Sequence, residues 1–334
     1  MYRSEFIRIF LHITIVFILF VIAGCNSQTT LPKLDGKITI GAYTGEVAAL
    51  VWIAKEKGFF DAFGLDIEIK EFSAGKLASD ALTTGDVDII TCTEFVFVKK
   101  SFDDPDLRIM GTISTYQIMW IVGRKDHNII SQDDLKGKTI GVTMGSSGEY
   151  YLGQFLLANK MNFNDITIVD LTPSKLVESI IKGKIDAAIT WQPNVKTIQK
   201  ILGNNIVSFE AQRGQNSYFI LLSNKNWIAS HPQHTARLMQ SLALSENWVN
   251  MHPEETKESL SKLFLLDQEY MNHIWEVMNI RLSFPQALVV AMDGEKRWLV
   301  NKGSVKTLEL PDYTDFLYVD AIETVKKHDV TVIK

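Results

Sequence analysis

Only two cysteines, Cys25 and Cys92, occur in the 334 residues. So few leave no disulfide framework, and the fold must rest on an ordinary apolar core. Positive charge is not in excess either: 34 Lys and Arg face 39 Asp and Glu, for a formal net charge of -5. A nucleic-acid binder wants a basic stripe, so no nucleic-acid partner is expected. The seven histidines are scattered, at His12, His127, His231, His234, His252, His273 and His328. His231 and His234 flank a proline at a helix start, which makes a poor paired zinc site. There is no phosphate-binding glycine loop, no nucleophile elbow and no pair of catalytic carboxylates. Catalytic residues, metal and cofactor are therefore all assigned as none.

What the chain does have is 46% hydrophobic and 22% charged residues, a globular balance at a length that suits two or three domains. Its N-terminus reads separately. Arg3 and Arg8 make a weakly basic start, diluted by Glu5. Residues 10–21 are apolar except for His12 and Thr14. That run is an export signal rather than a membrane span, which takes about 20 residues. Ile22-Ala23-Gly24-Cys25 resembles the bacterial lipobox. The resemblance implies cleavage before Cys25 and a lipid on its sulfur; an uncleaved anchor helix is the competing reading. Residues 1–24 are then a signal peptide and 25–35 a lipidated tether, polar from Asn26 to Thr30. With Cys25 lipidated, Cys92 is left alone.

The chain repeats itself. Gly36-Lys37-Ile38-Thr39-Ile40-Gly41 recurs as Gly137-Lys138-Thr139-Ile140-Gly141, and Gly85-Asp86-Val87-Asp88 recurs as Gly183-Lys184-Ile185-Asp186. The two matches are offset by nearly the same interval. Each unit reads β-α-β-α-β: strands at 37–42, 65–72 and 87–92 with helices at 48–57 and 76–84, then strands at 139–143, 166–171 and 185–190 with helices at 148–161 and 174–182. Alternating strands and helices imply parallel sheets with right-handed crossovers. Apolar strands at 118–122 and 218–222 bracket the second unit like two crossing strands. Lobe boundaries are therefore expected near Lys125 and Ser217: 36–124 with 218–334 as lobe 1, and 125–217 as lobe 2. The remainder reads as helical, with 232–251 strongly amphipathic, then 254–265 and 269–279, packing back on lobe 1.

These residues resemble a known family. Ile53-Ala54-Lys55-Glu56-Lys57-Gly58-Phe59-Phe60, Gly85-Asp86-Val87-Asp88, Asp134-Leu135-Lys136-Gly137-Lys138-Thr139-Ile140-Gly141, and Ile185-Asp186-Ala187-Ala188 with Trp191-Gln192-Pro193 resemble elements of the nitrate/sulfonate/taurine binding proteins. So do Pro311-Asp312-Tyr313 and the segment from Val330. The resemblance spans residues 37–334, and its specificity lies in order and spacing rather than in any one motif. It implies an α/β, type II periplasmic-binding-protein fold, with two lobes, two hinge strands and a bending motion. It further implies a solute-binding lipoprotein, monomeric, serving an ABC permease in the membrane.

Parallel α/β sheets bind ligands beyond the carboxyl ends of their strands, where helix N-termini offer free N–H groups. This selects Tyr43 and Thr44, Ser73, Thr93 and Glu94, Ser146 and Ser147, and Trp191 and Gln192. Gly145-Ser146-Ser147-Gly148 reads as an anion cradle or as a plain serine cap of the helix it opens. Glu94 reads as a partner for an ammonium or a ring N–H, or as a solvated loop charge. Trp191 is a stacking wall or a packing residue, and Tyr43, Tyr116 and Phe72 are further walls. Cys92 reads as a small buried residue. The expected ligand is a small anion or zwitterion of the sulfonate, taurine or nitrate kind. A thiamine-precursor-like pyrimidine is the alternative. An enzyme on this fold, of the pyrimidine-synthase or menaquinone-route type, and a sensory subunit are the readings from other classes. The synthase carries a cysteine-rich run where this chain has Thr91-Cys92-Thr93-Glu94-Phe95, and the export signal also argues against an enzyme.

Overall fold

The two repeats fold alike and build two sheets. The computed structural model describes residues 30–305 and 310–333. The signal segment, Cys25 and the start of the tether lie outside them. In chain order the first unit is β1 (Lys37–Tyr43), α1 (Ala49–Glu56), α2 (Phe59–Ala62), β2 (Asp66–Phe72), α3 (Gly75–Thr84) and β3 (Ile89–Thr93), followed by α4 (Glu94–Ser101), β4 (Leu107–Tyr116) and β5 (Met119–Arg124). The second is β6 (Thr139–Val142), α5 (Ser147–Ala158), β7 (Thr167–Asp170), α6 (Pro173–Ile181), β8 (Ala187–Trp191), α7 (Asn194–Leu202) and β9 (Ile206–Glu210). The rest is β10 (Ser217–Asn224), α8 (Lys225–Ser230), α9 (Pro232–Met251), α10 (Pro253–Phe264), α11 (Gln268–Glu276), β11 (Met278–Ser283), α12 (Gln286–Asn301) and α13 (Asp320–Lys326).

One sheet runs β11-β4-β10-β3-β1-β2 and the other β7-β6-β8-β5-β9. Within each repeat the strands are parallel: β1 with β2 and β3, and β6 with β7 and β8. The innermost strands, β3 and β8, are buried along their whole length, as suits strands covered on both faces. The repeated aspartates do the same work twice. Asp88 accepts the Thr39 N–H at 2.7 Å, and Asp186 accepts the Thr139 N–H at 2.7 Å. Each ties the end of a helix–strand turn to the first strand of its unit and satisfies a backbone donor beyond the ladder.

The chain passes between the sheets at Gln117–Ile118 and again at 211–216. This corrects the expected crossing at Lys125: β5 lies wholly in the second sheet, between β8 and β9, and β10 wholly in the first. An apolar run reveals a strand but not its neighbours, and pairing decides which sheet receives it. The tail is also not all helix. Residue Asn279, expected to end a helix, lies in β11, which adds an edge strand beside β4. The α9 helix does return to lobe 1, where Ser245 donates to the Leu50 carbonyl at 2.8 Å.

Gln212 ties the two crossings together. It is 2% exposed. Its carbonyl accepts from the Ile118 and Met119 N–H groups, the latter at 2.9 Å, while its amide donates to the Tyr116 carbonyl at 3.1 Å and the Gln215 carbonyl at 2.9 Å. Replacing it by Leu would orphan two buried N–H groups, each costing about 1–3 kcal/mol. Gln212→Leu is therefore expected to lower the unfolding free energy by about 2 kcal/mol or more in urea titration. An unchanged midpoint would remove Gln212 from the hinge.

Candidate functional site

Between the lobes lies a narrow cleft whose enclosed cavity measures about 30 Å³. It opens at the carboxyl ends of β1, β3, β6 and β8, where the topology gathers loops and helix starts. Lobe 1 supplies Tyr43, Val47, Ala74, Gly75, Lys76, Thr93, Val96, Tyr116 and Phe219. From the far side come Ile118, Met119, Ser146, Ser147 and Trp191.

The two sides meet over the cleft. Trp191 Nε1–H donates to the Tyr43 hydroxyl at 3.1 Å. Tyr43 is held in turn by the Trp52 indole, which donates to its carbonyl at 2.9 Å, and burial pushes its phenol far above the usual range. Tyr43 and Tyr116 both stand edge-on to Phe219, with ring centres 5.8 and 6.1 Å apart. An aromatic floor results, near the crossings.

The polar side is built from helix starts. Gly75 opens α3 directly over β3: a Cβ there would lie 2.7 Å from the Cys92 backbone. Only glycine lets that helix start approach so closely. No side chain caps α3, so its first N–H groups have no side-chain acceptor. At α5 the Ser146 hydroxyl accepts from the Gly148 N–H at 3.2 Å and donates to the Thr143 carbonyl at 2.7 Å. Ser146 is thus both a helix cap and a cleft residue. Thr93, 9% exposed, precedes α4, and its hydroxyl has no partner among the described residues. Lys76 brings the one positive charge of the lining, paired at 2.6 Å with half-exposed Asp80. Asp and Glu are absent from the lining.

The structure thus brings together Tyr43, Thr93, Tyr116, Ser146, Ser147 and Trp191. It leaves out five other sequence candidates, among them Phe72, whose ring packs over Gly41. Thr44 donates its hydroxyl to the Phe72 carbonyl at 3.3 Å, bridging β1 and β2. Ser73 is exposed beside the cleft. Gln192 accepts from the Lys196 N–H at 3.2 Å and faces a neighbouring cavity with Trp120 and Tyr270.

Glu94 requires the largest correction. No loop follows β3; α4 begins at once, with Thr93 as its cap. Thr93 and Val96 then share the cleft face at i, i+3, and Glu94 turns away. It is 1% exposed, one carboxyl oxygen has no partner, and Tyr116, Tyr151 and Tyr218 surround it. Burial drives its pKa well above the usual carboxylate range, and that of buried Glu295 nearby likewise. It is not among the residues that line the cleft, so no carboxylate faces a ligand there. Cys92 is a buried free thiol. The sequence places Lys76 in the loop after the second strand without singling it out as a site residue, and gives no signal for Val47, Val96, Met119 or Phe219. Among the described residues no group of three or more His, Cys, Asp or Glu could hold a metal.

Residues 47–256 match the profile of the NMT1/THI5-like family. The chain belongs to that family. A Brucella abortus relative named as a binding protein is 29% identical over 185 residues, 52% of this chain and 54% of that protein. This NMT1/THI5-like chain thus spans about half the length of that curated relative. A Bacillus subtilis relative named for binding aliphatic sulfonates is 26% identical over 236 residues, 68% of this chain and 70% of its own. The solved alkanesulfonate-binding protein SsuA of Xanthomonas axonopodis pv. citri, bound to MOPS, is similar with a TM-score of 0.73 at 16% identity, covering 86% of this chain and 99% of that one. The fold is accordingly the two-lobe, type II periplasmic-binding-protein fold.

Glu94 has a measurable signature. An ordinary glutamate titrates near 4.5, as Glu94 does in the unfolded chain, whereas in the fold it keeps its proton to higher pH. The folded chain then binds more protons, so rising pH favours unfolding. Glu94→Gln removes that burden. Its melting temperature should exceed the wild type's by a margin that widens from about pH 5 upward. A margin that is constant with pH would show Glu94 to be ionised in the fold.

Proposed function

We propose that this chain is an extracytoplasmic solute-binding protein that captures a small organic anion in the interlobe cleft and delivers it to an ABC permease. One observation carries the reading. The cleft joins uncapped helix N–H groups, Lys76 and the unpartnered Thr93 hydroxyl to an aromatic wall, with no acidic side chain. Buried donors without acceptors favour a ligand that accepts, and helix starts favour negative charge. The aromatic wall favours an apolar body of the alkyl- or aryl-sulfonate kind. Nitrate would leave that wall without contacts, and taurine's ammonium would meet no carboxylate. The relative named for aliphatic sulfonates supports the same class. The flat walls of Trp191 and Tyr116 keep a neutral heteroaromatic ring, as in a pyrimidine, as the second reading.

In this reading the protein binds without turnover, and the lobes part to admit the ligand, because the cavity of about 30 Å³ under the Trp191–Tyr43 contact has room only for water. Affinity comes from differential binding to the closed form. Export and a lipid on Cys25 belong to the same proposal and rest on the sequence pattern at residues 22–25.

Hexanesulfonate, benzenesulfonate, taurine, nitrate and an aminopyrimidine form the test panel for thermal shift. A ligand at about 100 times its Kd stabilises by about 2.7 kcal/mol. The two sulfonates should raise the melting temperature, and Thr93→Val should weaken them about tenfold, equivalent to about 1.4 kcal/mol. Silence from both in a folded protein would rule out this ligand class, and a response to the aminopyrimidine alone would favour the second reading. For the anchor, Cys25→Ser should move the protein from the membrane fraction to the soluble fraction. Retention on the membrane would favour an uncleaved anchor helix.

A further inference from the structure

The lobes also touch beside the cleft, and a single carboxylate organises that contact. Glu149 stands in the first turn of α5 and is 1% exposed. Its Oε1 lies 2.7 Å from Lys302 Nζ, just beyond α12. Its Oε2 lies 2.8 Å from Lys99 Nζ, on α4, and accepts the Gly145 N–H at 2.8 Å. Gly145 belongs to the loop that leads into Ser146 and Ser147. The same carboxylate therefore binds the cleft loop of one lobe and two cations of the other.

The packing around it has the same bridging form. Trp298 of α12 stands 5.9 Å from Phe95 of α4 and 5.5 Å from Tyr150 of α5, between ring centres. It occupies a notch at Gly153, where a Cβ would come within 2.4 Å of its ring.

We propose that Glu149 is a positioning residue: an interlobe latch that favours the closed arrangement and, through Gly145, fixes the loop that receives the ligand. The latch stands on geometry alone; its link to ligand capture rests on the function proposed above. Burial opposes the charge of Glu149, but the hydrogen bonds from Lys302 and Lys99 outweigh it and hold the carboxyl below its ordinary value. It therefore stays ionised at neutral pH. A buried carboxylate stripped of its cations is strongly disfavoured, so a neutral α4–α12 face should drive the lobes apart until water reaches Glu149. Both lysines remain partly exposed, at 36% and 22% of their side chains, so salt should weaken the latch.

The test needs no ligand, so its outcome is independent of the ligand class. Spin labels at cysteines introduced for Ile130 and Leu265, 63% and 91% exposed and on opposite lobes, would report interlobe distance in a Cys25→Ser background. Lys99→Gln with Lys302→Gln changes only partly exposed groups and should raise the open-to-closed ratio about tenfold. Glu149→Gln should do likewise. Combining all three should add nothing further, because the lysines act through Glu149. Added salt should open the wild type more than Glu149→Gln, in which the exposed Lys196–Asp267 pair still responds to salt across the lobes. Hydrogen exchange at the Gly145 amide should quicken in Glu149→Ala. Unchanged distances in the lysine variant, or additive effects in the triple variant, would overturn the latch. Unchanged exchange at Gly145 would overturn its hold on the loop.

Discussion

A parallel strand cannot return through a hairpin; it needs a long crossover, which in both repeats of this chain is helical. That constraint organises this molecule. In each lobe it points the strand ends, and the starts of the helices that follow, toward one crevice. The free N–H groups of α3 and the start of α5 face each other there because β1, β3, β6 and β8 all end there. The repeated aspartates, Asp88 and Asp186, anchor both halves of this arrangement in the same way. Were either unit antiparallel, its helix starts would not gather at the cleft.

From that geometry follows the character of the cleft. Its polar donors are chiefly backbone N–H groups and hydroxyls, since Lys76 shares its charge with Asp80. Oriented donors of this kind need little reorganisation when a ligand arrives. The apolar side, from Val47 and Val96 to Trp191 and Phe219, excludes water and strengthens those polar contacts. Closure then joins the two. The Trp191–Tyr43 hydrogen bond spans the cleft, Glu149 pairs with Lys99 and Lys302 beside it, and Gln212 holds the two crossings between the sheets.

The carboxylates divide by surroundings. Glu149 keeps its charge because two lysines reach it. Glu94 and Glu295 sit among tyrosines without a cation, and burial raises their pKa values instead. Nothing in the local residue types separates these cases. Glu149 follows Ser147-Gly148, Glu94 follows Cys92-Thr93, and each stands in the first turn of a helix. The cations come from Lys302, far along the chain, and from Lys99 across the cleft. Such partners are set by packing and cannot be read from neighbours in sequence.

Composition excluded a basic surface and a disulfide framework, and the internal repeat carried the α/β class, the parallel strands and most helix positions. Strand ends then pointed to Tyr43, Thr93, Ser146, Ser147 and Trp191, because the ligand side of a parallel sheet follows from topology alone. Tertiary structure decided the rest. It moved the crossing to Gln117–Ile118, since hydrogen-bonded neighbours, not hydrophobicity, assign a strand to a sheet. It turned Glu94 away by starting α4 at Glu94, directly after β3, where a loop was expected. And it brought Lys302 to Glu149, a pairing between residues distant in the chain that only folding can create.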